Sequence, residues 1–262
     1  MKTGNIITPA PSTGVLKINP NEAHQLTEGK RQAQKKGRVV FNRTNDNIEW
    51  ASWTWNPVTG CKHGCPYCYA KDIAARFYGE GGFEPKFHPD RLSAPGNTKP
   101  PKTGEPIGER NVFVCSMADL FGDWVPQEWI DAVIEAVRTA PQWNFLFLTK
   151  SPGRLVGIDW PSNAWVGTTV DCQKRVAAAE KAFAQITAKV KFLSCEPLLE
   201  ELTFQNLKVF DWVIIGPRRV GKDHEQPKWR WVESLVAQAR SADLQIYFKP
   251  HLIVRPREYP SV

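Results

Sequence analysis

Residues 1–45 hold few large apolar side chains and end in the basic run GKRQAQKKGR. That pattern predicts an arm outside the core, with residues 21–36 as its candidate short helix. From Ile48 onward, short apolar runs rich in β-branched and aromatic residues alternate with amphipathic stretches. The runs at 53–57, 112–116, 145–149, 165–169, 190–195, 212–216 and 246–249 predict strands. The stretches at 69–78, 126–139, 173–184 and 229–241 predict helices, the second with Pro126 at its N-terminal turn. Strands alternating with helices predict an α/β domain built on a parallel sheet, either open or curled. The expectation is a partial (β/α)6-type parallel barrel over residues 46–262, preceded by the basic N-terminal arm of residues 1–45. In either geometry ligands gather at the C-terminal ends of the strands. Residues 79–110 break the rhythm with six Gly and six Pro, which predicts a long loop. Loops of that length inside a compact domain usually cover a site or bind something.

Composition places the 262-residue chain among soluble globular proteins: 42% hydrophobic and 23% charged residues exclude wholesale disorder and a fibrous architecture. No apolar run approaches the roughly 18 to 20 residues of a membrane span, so no membrane partner is expected. The start, MKTGNIITPAPSTG, has no apolar segment of the secretory kind, so a cytoplasmic location is expected. In a reducing compartment clustered cysteines bind metal or do chemistry rather than pair. The net charge of +7 is concentrated at one end, because residues 1–45 carry eight Lys and Arg against two Glu. Such an arm suits nucleic acid through a salt-dependent attraction for phosphates. It equally suits solubility or contact with another protein.

Three of the six cysteines, Cys61, Cys65 and Cys68, fall in WNPVTGCKHGCPYCYAKDIAARF with the spacing Cys-x-x-x-Cys-x-x-Cys, between the first predicted strand and the first predicted helix. A 4Fe-4S cluster held by three protein thiolates leaves one iron able to take an exogenous ligand. A structural zinc site wants four closed ligands, and the fourth would be His63 or a residue distant in sequence. His63 is cramped between two of the cysteines. The other three cysteines, Cys115, Cys172 and Cys195, sit near the ends of predicted strands, where isolated cysteines usually serve as small core hydrophobes.

The motif resembles that of the radical SAM superfamily. Within it, the chain is similar to the phage and prophage three-Cys-motif radical SAM-like proteins through IEWASWTWNPVTGCKHGCPYCYA, NVFVCSMADLFGDWVP, FLFLTKSP, WVGTTVDCQ and LSCEPLL. The resemblance implies a 4Fe-4S cluster on Cys61, Cys65 and Cys68, with S-adenosylmethionine on the open iron and Tyr67 against the adenine. It also implies an electron donor protein or other reductant, and a 5'-deoxyadenosyl radical that abstracts hydrogen from substrate. At the sixth strand, WVIIGPRR carries Pro217 and Arg218 where the family often has a second Gly and then Glu.

Residues just beyond each strand are the candidates for cofactor and substrate contact. Ser116, Asp119, Thr168 and Glu196 stand first, because ribose hydroxyls and a methionyl amine suit hydroxyl and carboxylate partners. The same residue types are favoured at helix N-termini, where they cap. Thr149, Lys150, Asp171, Gly216 and Arg218 complete the set; Lys150 and Arg218 suit a carboxylate or phosphate. Of the eleven Trp, Trp165 and Trp212 lie in apolar strands, whereas Trp229 and Trp231 adjoin Lys228 and Arg230 and suit base stacking. The function expected is a radical SAM enzyme, with a nucleic acid or nucleotide as a candidate substrate. The competing reading is a metal-binding barrel without catalysis that serves as a nucleic-acid or protein interaction module.

Overall fold

The computed structural model describes residues 37–44, 48–79 and 81–254. The predicted helix at 21–36 and most of the basic arm lie outside the described residues. The chain divides between Arg38 and Val39, ahead of the expected end of the arm at residue 45. Phe41 explains the difference: its ring is buried against Trp143, 5.2 Å away edge to face.

In chain order the strands are β1 (Asn42–Arg43), β2 (Trp53–Trp55), β3 (Val58–Thr59), β4 (Lys86–Phe87), β5 (Asn111–Val114), β6 (Asn144–Thr149), β7 (Ala164–Thr169), β8 (Val190–Cys195), β9 (Trp212–Ile215), β10 (Arg218–Val220), β11 (Asp223–Glu225) and β12 (Gln245–Phe248). The helices are α1 (Tyr69–Tyr78), α2 (Ala94–Asn97), α3 (Gln127–Arg138), α4 (Val176–Phe183) and α5 (Trp229–Ser241). Eight strands form one sheet in the order β1-β2-β5-β6-β7-β8-β9-β12. Every pairing from β2 to β12 is parallel, and β1 adds an antiparallel edge. All seven predicted strands are present, in chain order across the sheet. The sheet is open: among the described residues no pairing joins β12 back to the first strands, so the α/β class holds and a closed barrel does not.

Two crossovers depart from strict β-α alternation. Between β6 and β7 the chain makes only a short 3-10 turn at Pro152–Leu155, and between β8 and β9 only Leu207–Val209. The Gly/Pro-rich stretch expected as a loop also carries order: β4 pairs with β3, and Ala94 of α2 is fully buried.

Strand alternation divides the apolar residues between two faces. Val112, Phe145, Phe147, Val166, Leu193, Val213 and Ile215 face the helices, where they meet the buried stripe Ile130, Val133, Ile134 and Val137 of α3. The intervening residues Phe113, Leu146, Phe192 and Ile214 face the other way and cluster around Trp50. Trp165 and Trp212 pack there too, as their apolar strand context implies. The Trp50 ring lies 4.8 Å from Phe113 on β5, 6.2 Å from Phe192 on β8 and 6.5 Å from Trp212 on β9. In a flat sheet strands four places apart would be about 19 Å from each other. One indole touching both β5 and β9 therefore requires this face to be concave. Gly167 on β7 helps, because a Cβ there would lie 2.4 Å from the Phe192 ring.

Candidate functional site

The cysteine loop leaves the sheet just beyond β2. Gly60 begins it with φ of +87°, and a Cβ at this position would stand 2.1 Å from the Glu84 carbonyl oxygen. Only glycine serves here, since both the left-handed backbone and the close approach exclude a side chain. The Gly60 amide donates to the Met117 carbonyl at 2.9 Å and the Cys61 amide to that of Phe83 at 3.1 Å, fixing the start of the loop. Cys68 stands at the N-cap of α1. Midway, His63 Nε2 lies 2.7 Å from Asp119 Oδ2, and its ring packs edge to face on Trp124 at 4.8 Å.

Cys61, Cys65 and Cys68 are unpaired, partly exposed, and all line the same cavity at the C-terminal ends of the strands. Burial pushes the Cys61 thiol up to about 11, and the Asp119 carboxylate and the other two thiols push the same way. Burial also raises Cys65, while Lys150 opposes the shift. Among the described residues no three His, Cys, Asp or Glu side chains converge as a preformed site for a single metal ion. The donor chemistry nevertheless suits a thiophilic iron cluster: three soft sulfurs, one short loop, one cavity. His63 does not extend the set through its Nε2, which faces Asp119. Cys115 and Cys195 are buried in the helix-side core, and Cys172 donates to Asp171 at 3.2 Å.

The sequence-predicted partners divide into three groups. Tyr67, Ser116, Asp119 and Glu196 line the cavity with the cysteines. Asp119 spends its whole carboxylate on the protein: Oδ1 accepts from the Phe121 amide at 3.0 Å and the Thr149 hydroxyl at 2.6 Å, and Oδ2 lies 2.9 Å from the Lys150 amide as well as facing His63. Its geometry is that of a clamp between the loop and the strand ends. Ser116 Oγ lies 2.6 Å from Thr54 Oγ1, and its carbonyl accepts from the Tyr69 hydroxyl at 2.7 Å.

Thr168 is not on the cavity. It shares the parity of Val166, is buried, and donates to the Thr149 carbonyl at 2.9 Å, whereas Thr169 lines the cavity in its stead. Arg218 is likewise off the cavity and pairs with Glu225, while its neighbour Arg219 lines it. Trp229 and Trp231 pack partly against the helix-side core, which limits the faces they could offer to a base.

Beside the cysteines, Tyr67, Lys150 and Asp171 form a closed polar network. Lys150 Nζ stands 2.9 Å from Asp171 Oδ2 and 3.0 Å from the Tyr67 oxygen, and the Tyr67 hydroxyl donates to Asp171. Arg175 adds a second cation at 2.8 Å. Burial alone would raise the Asp171 carboxyl, but Lys150 and the hydrogen bonds from Tyr67 and Lys150 hold it below the usual carboxylate range. Across the cavity, Lys249 Nζ is 3.3 Å from Glu196 Oε1; burial raises the Glu196 carboxyl and Lys249 opposes that. Gly216 makes room for the pair, since a Cβ there would lie 2.9 Å from Cγ of each.

Thr169, Ser194, Arg219, His224, Lys249 and His251 also line the cavity, although sequence reasoning did not single them out. Lys249 carried a legible signal, as a charge that ends an apolar strand run.

No curated protein and no solved structure matches the sequence. A family model does match, over residues 45–253, a span that holds every strand from β2 to β12 together with the cysteine loop. The chain therefore belongs to the family described as protein of unknown function DUF5131.

Proposed function

We propose that this chain is a radical SAM enzyme. Cys61, Cys65 and Cys68 would hold a 4Fe-4S cluster, and S-adenosylmethionine would bind at the iron they leave open. The observation that carries this reading is the placement of three thiols from one loop on a single cavity at the mouth of a parallel sheet. A closed zinc site would need a fourth ligand, and Nε2 of His63, the imidazole within the loop, faces Asp119. The concavity around Trp50 supports a half-barrel whose open edge admits a large substrate.

When bound, the cluster and S-adenosylmethionine supply the one-electron reductive cleavage that releases a 5'-deoxyadenosyl radical. The chain's own residues orient and protect that chemistry. Asp119 and His63 hold the loop against the strand ends, and Trp50 and Phe113 of the aromatic plug line the cavity. Tyr67 stands beside the thiols with its hydroxyl anchored by Lys150 and Asp171, which fixes its ring as a wall of the cofactor region. Ser116, Thr169 and Glu196 offer polar groups to hydroxyls and an amine. A reductant is required from outside the chain, and the basic arm makes a nucleic acid a candidate substrate.

Anaerobic reconstitution of the full chain tests the reading. It expects about four irons per chain, a change in the cluster's electron paramagnetic resonance on adding S-adenosylmethionine, and 5'-deoxyadenosine on reduction. Stoichiometric zinc with no 5'-deoxyadenosine would favour the interaction-module reading. Loss of arm-dependent, salt-sensitive nucleic-acid binding on deleting residues 1–38 would support the substrate class.

A further inference from the structure

The wall of the cavity formed by β9, the β10–β11 hairpin and the end of β12 is rich in cations. Hairpin register pairs Arg219 with His224, so both project from one face of the ribbon, and both line the cavity. The His224 ring stacks on that of His251 at 4.1 Å, nearly parallel at 12°. Gln226 staples the two segments, its amide donating to the His251 carbonyl at 2.9 Å and its carbonyl accepting from the Ile253 amide at 3.0 Å. Two residues before His251, Lys249 is buried and reaches the same space beside Glu196.

We infer that this wall is the binding site for a phosphoryl group of the substrate. The donor side chains come from three segments, β10, β11 and the end of β12, and the three terminal oxygens of a tetrahedral phosphate monoester can accept from all of these directions, which a planar carboxylate cannot. Arg219 and Lys249 bring cationic side chains to this wall, Lys249 beside Glu196. The His224 imidazole can add a proton when a dianion arrives. The groups facing His224 are His251, Arg219 and Lys249, which with burial lower its basicity, and Asp223, which opposes them. An anion relieves that crowding, so its binding takes up protons and weakens as pH rises through the imidazole range. Arg219, His224 and Lys249 line the same cavity as the three thiols. A phosphoryl group here would therefore set the rest of a substrate toward the cysteine loop.

The inference rests on reading the cavity as the reaction site, but its test needs neither cluster nor turnover. The full-length protein without a cluster is titrated with inorganic phosphate and with acetate at low ionic strength, following histidine proton resonances. Saturable phosphate binding is expected, with affinity falling between about pH 6 and about pH 8. Arg219→Gln and, separately, His224→Gln should weaken it by about tenfold, the scale of one lost charge-assisted hydrogen bond. Both positions are on the ribbon rather than in the core, and circular dichroism verifies that each variant folds. Equal response to acetate, phosphate affinity unchanged in both folded variants, or displacement of phosphate by S-adenosylmethionine would each overturn the assignment. Failure to assemble a cluster in the separate iron assay would leave this titration unaffected, so the two readings fail independently.

Discussion

His63 Nε2 stands 2.7 Å from Asp119 Oδ2, tying a residue between two thiols to a carboxylate 56 positions further along the chain. Asp119 also gathers the Phe121 and Lys150 amides and the Thr149 hydroxyl. It is the point at which the cysteine loop, the turn after β5 and the end of β6 are held together.

This clamp predicts unequal costs for its two members. His63→Ala removes one hydrogen bond and should cost about 1 to 2 kcal/mol. Asp119→Asn puts an amide donor opposite N–H groups that already donate, and should cost about 2 to 4 kcal/mol. Urea unfolding of both variants measures the difference, and equal losses would show that Asp119 serves His63 alone.

The loop's first glycine predicts a second contrast. Gly60→Ala meets both a φ of +87° and the Glu84 carbonyl, whereas Gly64→Ala meets a φ of +66° with nothing within 4 Å. The first should lose about 3 kcal/mol or more and the second about 1 kcal/mol. Thermal melts compare them; similar midpoints would mean that the Gly60 turn relaxes without cost.

Asp171 predicts how stability responds to acid. Its carboxyl is held below the ordinary value in the folded chain, so the unfolded chain binds the proton more readily. The stabilisation is present at neutral pH and is lost as pH falls below about 4, the unfolded value. Urea midpoints measured from about pH 6 down to about pH 3 should fall, and Asp171→Asn should flatten that fall. An identical slope in the variant would remove Asp171 from the account.

The threonines of β7 predict a separation of stability from binding. Thr168→Val breaks a buried bond to the Thr149 carbonyl, and should cost about 1 kcal/mol without altering the cavity. Thr169→Val changes the cavity wall. Calorimetric titration with S-adenosylmethionine on reconstituted protein should respond to the second substitution and not to the first, and the opposite pattern would reverse the assignment of faces.

The elements themselves were legible along the chain. Parallel strands with helices on one face and an aromatic plug on the other are buried on both sides, so each is written as an apolar run, and all seven such runs are strands of the sheet. Local glycine and cysteine placement likewise puts the thiols on a loop between β2 and α1. The β10–β11 ribbon was hidden because its residues are exposed or half-buried and carry no apolar alternation.

What the sequence determined by itself is which segments become strands and helices and where the three thiols stand between them, because periodicity and turn residues act over a few neighbouring positions. Which side chains meet across the cavity was decided only by tertiary structure. Thr169 faces inward where Thr168 does not, because a step of one residue reverses the face of a strand. His224 and His251 stack although they are far apart in the chain, and Asp119 is saturated by partners from four separate positions. Such meetings depend on how the sheet bends around Trp50 and where the crossovers return the chain, and those are properties of the packed whole.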